Sequence, residues 1–244
     1  MSEEFFIGWQ KRPPPRLVRF LAMLGGGLLL AMAGLGLALG GADEPGGPDF
    51  AVIGTVPPLP EEAEMTGVLT RLPYPVLHRA DGRAVLLAGD GKRGAEVPAA
   101  LDGQRATARG YVQQRGSIGM LVLDSPPVAV GPGAPVPPVQ PLGRWRITGE
   151  ICDGKCAAGS MLAGTGLAHR ACATLCLAGD LPAILVSAAP LHGQSFMLLA
   201  GPEGGPMPGA LRPLIGLRIS LEGMLEWQGN LLVFRADPAT ARTL

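Results

Sequence analysis

Charged and aromatic side chains are both scarce in this sequence. Aromatic residues make up 5% and charged residues 16% of the 244 residues, and the 20 Lys and Arg residues balance the 20 Asp and Glu residues. Proteins that bind nucleic acid need a positively charged surface, and those that bind single strands add stacking aromatics. The composition therefore argues against a nucleic-acid partner.

Long apolar runs are absent except for one, residues 20–41. As a helix, these roughly 22 residues would be about 33 Å long, enough to cross about 30 Å of hydrocarbon. Basic residues precede the run and acidic residues follow it, which places the N-terminus in the cytoplasm by the positive-inside rule. We expect a cytoplasmic segment at 1–19, a transmembrane helix at 20–41, and the bulk of the chain in the periplasm of a bacterial inner membrane. A cleaved signal peptide is the alternative interpretation.

The apolar run is rich in glycine, including the pair Gly36 and Gly40 four residues apart. Small residues at this spacing let a second membrane helix approach closely. They predict an integral membrane partner, although glycine is common in membrane helices in general.

Abundant glycine and proline, 37 and 25 residues, limit the rest of the chain to short strands joined by turns. Residues 42–64 have the composition of an extended tether. Five strand candidates follow in a first unit at 65–125, namely 65–69, 76–79, 84–88, 106–113 and 118–123. Residues 126–143 are too rich in proline for a central strand and are predicted to be a semi-rigid linker.

The unit after the linker, residues 144–244, repeats the first. Gly67 corresponds to Gly149 and Gly110 to Gly223, and the offset grows from 82 to 113 residues, so the second copy carries 31 additional residues. Most of them form an insertion at 152–180. The strand order and glycine spacing resemble the OB-fold, a small Greek-key barrel. The predicted fold class is all-β, with two tandem OB-like barrels after one transmembrane helix.

Only four cysteines occur, and all lie in the insertion as two Cys-x-x-x-Cys pairs. Two antiparallel segments carrying such pairs can join as Cys152–Cys176 and Cys156–Cys172, in a spacing that resembles the twin hairpins of small mitochondrial intermembrane chaperones. An even number of cysteines outside the cytoplasm favours such disulfides.

Two other interpretations use the same segment. Thiolates and an imidazole are zinc or iron ligands, which predicts a site of Cys156, His169, Cys172 and Cys176. Alternatively, one cysteine pair cycles between dithiol and disulfide, with His169 or Lys155 lowering a thiol pKa. The sequence also permits that no metal binds.

Enzyme signatures are missing. The sequence has no Cys-x-x-Cys-His haem motif and no Gly-x-Ser-x-Gly nucleophile elbow, so no catalytic residue is predicted and an independent enzyme is disfavoured.

The insertion resembles a segment of uncharacterised bacterial envelope proteins, with the pattern Asp-x-x-Cys…His-x-x-Cys-x-x-x-Cys. The resemblance implies that Asp153 joins the predicted ligands as a supporting residue. The anchor, the two barrels and the insertion together predict a membrane-anchored binding or assembly subunit, an accessory to a membrane complex. The resemblance adds a respiratory complex as a candidate partner. The alternative function is a metal-binding or thiol redox protein of the envelope.

Overall fold

A computed structural model describes residues 14–40, 62–161 and 164–244. Its first element is one apolar helix, α1, spanning Pro15–Gly40. Proline at the first helical position is favourable because its missing N–H would have no partner there. The part Pro15–Gly36 is long and apolar enough to cross a membrane. This confirms the predicted N-terminal apolar helix, while residues 1–13 and 42–61 of the predicted cytoplasmic segment and tether lie outside the described residues.

The first barrel is a ring of five strands with a sixth added at its edge. The strands follow the order β1-β2-β3-β5-β4, and pairing of β1 with β4 closes the ring. Strands β3 and β5 are parallel and the other pairs are antiparallel. The strands are β1 (Glu62–Thr70), β2 (Val76–Arg79), β3 (Ala84–Ala88), β4 (Arg105–Arg115), β5 (Ile118–Leu123) and β6 (Val128–Gly131).

The second barrel repeats this order as a closed ring, β7-β8-β9-β11-β10, again with one parallel pair, β9 with β11. A short 3₁₀ turn precedes the fourth strand in both barrels, at Ala99–Leu101 and Gly209–Leu214. The strands are β7 (Val139–Asp153), β8 (Ala183–Leu191), β9 (Gln194–Ala200), β10 (Arg218–Gln228) and β11 (Leu231–Thr243). The all-β prediction of two tandem OB-like barrels is confirmed.

The glycines that revealed the repeat have the same structural role in both copies. A Cβ at Gly110 of β4 would lie within van der Waals overlap of the Val122 carbonyl, and one at Gly223 of β10 would overlap the Arg235 carbonyl in the same way. At these positions neighbouring strands approach too closely for any side chain. The glycine spacing is therefore repeated because the strands of both barrels approach each other closely at these positions.

The proline-rich segment differs from a plain linker. Its proline-free stretch, Val128–Gly131, pairs with β4 as the edge strand β6, and β7 already begins at Val139. An edge position suits such a sequence because an edge strand pairs with only one neighbouring strand. The flanking prolines, which have no backbone N–H to donate, therefore leave no second strand without a hydrogen bond. The last three residues of the predicted tether, 62–64, likewise belong to β1.

Strand β3 shows how the two barrels are joined. All five of its residues are buried, because Val85 and Leu87 point into the first barrel while Leu86 points outward into a second apolar cluster. That second cluster also contains Val76 and Met120 of the first barrel and the whole core of the second. The described residues of both barrels fall in one compact unit, and the cysteine insertion lies in the layer between them.

Candidate metal centre

The insertion connects β7 to β8, the first and second strands of the second barrel. After β7 ends at Asp153, the chain makes a short π-helical turn at Cys156–Ser160 and later forms helix α2, Arg170–Ala178. Residues 162 and 163 are not described. Helix α2 places Cys172 and Cys176 four residues apart, hence on the same face. The predicted position of the insertion agrees with this arrangement.

Three of the four predicted ligands form one tight group. One side-chain donor atom from each of Cys156, His169 and Cys172 lies within 4.8 Å of the others. The fourth predicted ligand, Cys176, belongs to an equally tight group with Cys156 and Asp153. Cys156 thus belongs to two of the three such groups among the described residues, and the third consists of Cys152, Asp153 and His169.

His169 and Asp153 form a buried pair behind the sulfurs. His169 Nε2 lies 3.1 Å from Asp153 Oδ2, and the side chains are 2% and 0% exposed. The other carboxylate oxygen, Oδ1, accepts a hydrogen bond from the Cys156 backbone N–H at 2.9 Å. An ionised carboxylate only accepts, so His169 donates from Nε2, and in the neutral imidazole the lone pair is then on Nδ1. That Nδ1 is buried and has no hydrogen-bond partner among the described residues.

The predicted disulfides Cys152–Cys176 and Cys156–Cys172 are not formed in this structure, in which all four cysteines are free. The prediction assumed that each Cys-x-x-x-Cys pair lies on one helical face. Cys152, however, lies in strand β7, and only Cys156 belongs to the π-helical turn. The Cys152 thiol instead donates a hydrogen bond to the Gly164 carbonyl at 2.6 Å.

The first barrel contributes two contacts that the sequence did not reveal. Lys92 Nζ, from the loop after β3, donates to Cys172 Sγ at 2.8 Å and to Cys176 Sγ at 3.6 Å. Lys155 Nζ, from the insertion, donates at 3.0 Å to the carbonyls of both Gly89 and Gly91. Through these two hydrogen bonds Lys155 joins the insertion to the first barrel. Lys92 is 80 residues from Cys172, and no local motif marks it.

Burial and neighbouring negative charge keep the buried thiols protonated in the metal-free protein. Burial, then Asp153, raises the pKa of both Cys152 and Cys156 far above the ordinary value of a thiol. For Cys176 the same causes and the nearby Cys172 raise the pKa to about 11, against the opposing charge of Lys92. The hydrogen bond to Cys172 raises the pKa of Lys92. A thiol in such surroundings ionises readily only when a cation replaces its proton.

Comparison of the chain with protein-family models, with curated proteins and with solved structures found no match. The resemblance to bacterial envelope proteins therefore stays a prediction. The function has to be argued from the geometry of the insertion.

Proposed function

We propose that this chain is a membrane-anchored metal-binding protein of the bacterial envelope. In this proposal Cys156, His169, Cys172 and Cys176 hold one zinc or iron ion, and Asp153 orients the imidazole. The observation that carries the proposal is the buried Nδ1 of His169, which has no partner among the described residues although it belongs to a side chain grouped with two cysteine sulfurs. An unpaired buried nitrogen costs free energy, and a metal ion would satisfy it.

The chemistry of the donor set favours binding over catalysis. Three thiolates and one imidazole complete the tetrahedral shell that zinc takes in structural sites, whereas catalytic zinc sites keep one position open. The same four donors also suit a single iron ion, which would add one-electron transfer. The carboxylate behind His169 is the outer-shell partner that metal-bound histidines usually have.

The expected compartment supports the same conclusion. Free cysteines outside the cytoplasm are exposed to oxidation, and a metal ion that binds the thiolates protects them. Cys152 would not need this protection, because its thiol is buried and already donates to the Gly164 carbonyl.

The test is elemental analysis and thiol titration of the full-length protein, purified in detergent without chelator. We expect close to one zinc or iron per chain and loss of that metal from His169→Ala. The matched control is His192→Ala, a substitution of an exposed histidine beside Trp145 and Trp227 on the same barrel. If the protein has no free thiols and no metal, the segment is a disulfide hairpin and the metal-binding proposal fails. Four free thiols without metal would also refute the proposal.

The apolar helix supports a second proposal, an accessory subunit of a membrane complex. Gly25, Gly26, Gly27, Gly34 and Gly36 of α1 have no described atom within 4 Å of an added Cβ, so this helix has a small-residue surface without a contact in the described chain. We propose that a second membrane helix, from an integral membrane protein such as a respiratory subunit, packs against it. The orientation is cytoplasmic at the N-terminus and periplasmic for the barrels.

A photo-crosslinking amino acid in place of Gly36 tests this proposal in membranes, with Leu30 on the same helix as the matched position. We expect a discrete adduct from position 36 and a weaker one from position 30. Adducts of equal strength from both positions, or none from either, would contradict a specific helix partner. A periplasmic reporter fused after Leu244 tests the orientation.

A further inference from the structure

The loop Gly89–Gly94 of the first barrel covers one side of the candidate metal centre. Its backbone is held by the insertion, because Gly94 N–H donates to the Gly179 carbonyl at 2.6 Å and Lys155 binds the two carbonyls described above. Only the Lys92 side chain of this loop reaches the sulfurs. The backbone of this loop is thus held in place, while the long and exposed Lys92 side chain brings one ammonium group to the site.

Among the four cysteines, Cys172 is the one that is only partly buried. Lys92 makes its shorter hydrogen bond, 2.8 Å, to this sulfur. An ion arriving from solvent would therefore contact Cys172 before the other cysteines. The positively charged Lys92 ammonium group occupies that approach.

A cavity of about 450 Å³ lies beside the same loop. Its walls come from the loop and Glu96 and from the end of β5 and the chain after it. The charged side chains among them are three carboxylates and two basic groups, Asp90, Glu96, Asp124, Lys92 and Arg93. Clefts lined with negative charge raise the local concentration of cations.

These observations lead to one inference, which rests on the proposed metal-binding function. We propose that a divalent cation reaches the candidate metal centre through this cavity, and that Lys92 is the gate that closes on the bound ion by donating to the thiolates of Cys172 and Cys176. Charge supports such a gate. Three thiolates and one divalent cation leave a net charge of about −1, which one ammonium offsets.

Cobalt(II) is the probe, because its thiolate charge-transfer band reports binding directly in the full-length protein. Stopped-flow mixing gives the rate of uptake, and competition with a chelator gives the rate of release. We expect Lys92→Met to release cobalt about 10-fold faster, the range found for outer-shell partners of metal ligands. We expect Lys92→Arg to restore slow release, since it returns a charged donor.

The matched control is Arg93→Met, which removes the same charge from the same cavity without touching a sulfur. We expect it to keep the release rate of the wild type. Lys92→Met should also take up cobalt no more slowly than the wild type, because the gate is gone. Slower uptake would mean that Lys92 only stabilises thiolates, and this result would overturn the gate.

The route is tested by Ser125→Trp, which places a bulky indole in the cavity wall, with Ser125→Ala as its control. We expect uptake and release to slow by the same factor, so that the affinity stays unchanged. Unaltered rates in Ser125→Trp would overturn the route, and an unaltered release rate in Lys92→Met would overturn the gate. Either result would leave the proposed metal-binding function intact. A wild-type protein that gives no cobalt–thiolate band would refute the proposed function itself, and this inference with it.

Discussion

Asp153 accepts hydrogen bonds at both ends of its carboxylate, from the Cys156 backbone N–H at 2.9 Å and from His169 Nε2 at 3.1 Å. The contact with Nε2 fixes the tautomer of a neutral His169, with the proton on Nε2 and the lone pair on Nδ1, and the contact with Cys156 fixes the orientation of the carboxylate. The two contacts connect the backbone of one candidate ligand to the tautomer of another, because the carboxylate can only accept.

Replacing Asp153 by Asn should therefore lower metal affinity without removing a ligand. The Asn oxygen must take the position that accepts from Cys156 N–H, which turns the amide NH₂ toward His169 Nε2. The imidazole then carries its proton on Nδ1 and loses the lone pair for the metal. We expect a 10- to 100-fold loss of zinc affinity, measured by chelator competition.

Asp102→Asn is the matched control for this substitution, since Asp102 also accepts a backbone N–H, from Arg71 at 3.0 Å, but lies far along the chain in the first barrel. It should keep the affinity of the wild type. Equal affinity in Asp153→Asn and the wild type would show that His169 does not bind metal through Nδ1.

Cys152 should be dispensable for metal binding although it belongs to the same cysteine-rich segment. Its thiol donates to the Gly164 carbonyl, and a serine hydroxyl can make the same hydrogen bond. We expect Cys152→Ser to bind one cobalt with an unchanged thiolate charge-transfer band. Cys172→Ser should weaken that band by about one third, because one of three sulfurs is lost. A weaker band in Cys152→Ser would make it a ligand and exclude the proposed set.

The strands were predictable because each carries its own pattern. The segments 76–79, 84–88 and 118–123 agree with β2, β3 and β5 residue for residue. The repeated glycines also had a local cause, since Gly110 and Gly223 lie where strands approach closely. Local sequence therefore sufficed for these strands and for the place of the insertion, but not for β6 or the start of β7, which lie in the segment predicted to be a linker.

The site was predictable only in part, because its remaining contacts cross between the barrels. The sequence brought Cys156, His169 and Cys172 into one hypothesis, but it could not show that Cys152 lies in strand β7 and donates to the Gly164 carbonyl. Lys92 was missed entirely. A lysine in a glycine-rich loop is ordinarily a solvated turn residue, and only the packing of the first barrel on the insertion carries it to Cys172.

The metal-free protein should lose stability at alkaline pH through Cys176. Burial and the charge of Asp153 raise its pKa from 9.0 to about 11. Stability from the neutral thiol is complete below pH 9.0, where the thiol is protonated in both the folded and unfolded states, and is lost as pH rises to about 11. The unfolded chain loses its proton first, so the free energy of unfolding falls across this window.

The measurement is the urea midpoint of chelator-treated protein between about pH 8 and pH 11. Cys176→Ala should lose stability at every pH through lost packing, but its midpoint should fall less steeply above pH 9.0. Some slope should remain, because the pKa of Cys156 is also raised. Parallel curves for the variant and the wild type would contradict the assignment of this effect to Cys176.

Gly110 should tolerate no side chain, although it lies in a regular strand. A Cβ there would overlap the backbone carbonyl of Val122 on the neighbouring strand β5, and backbone cannot move aside as a flexible side chain would. We expect Gly110→Ala to lower the free energy of unfolding by about 2–3 kcal/mol, as overpacking typically does. Gly119→Ala is the control within β5, where an added Cβ meets no described atom within 4 Å. It should be neutral or slightly stabilising, because alanine restricts the unfolded chain. If both variants unfold at the same urea concentration, close strand approach is not what fixes glycine at the repeated positions.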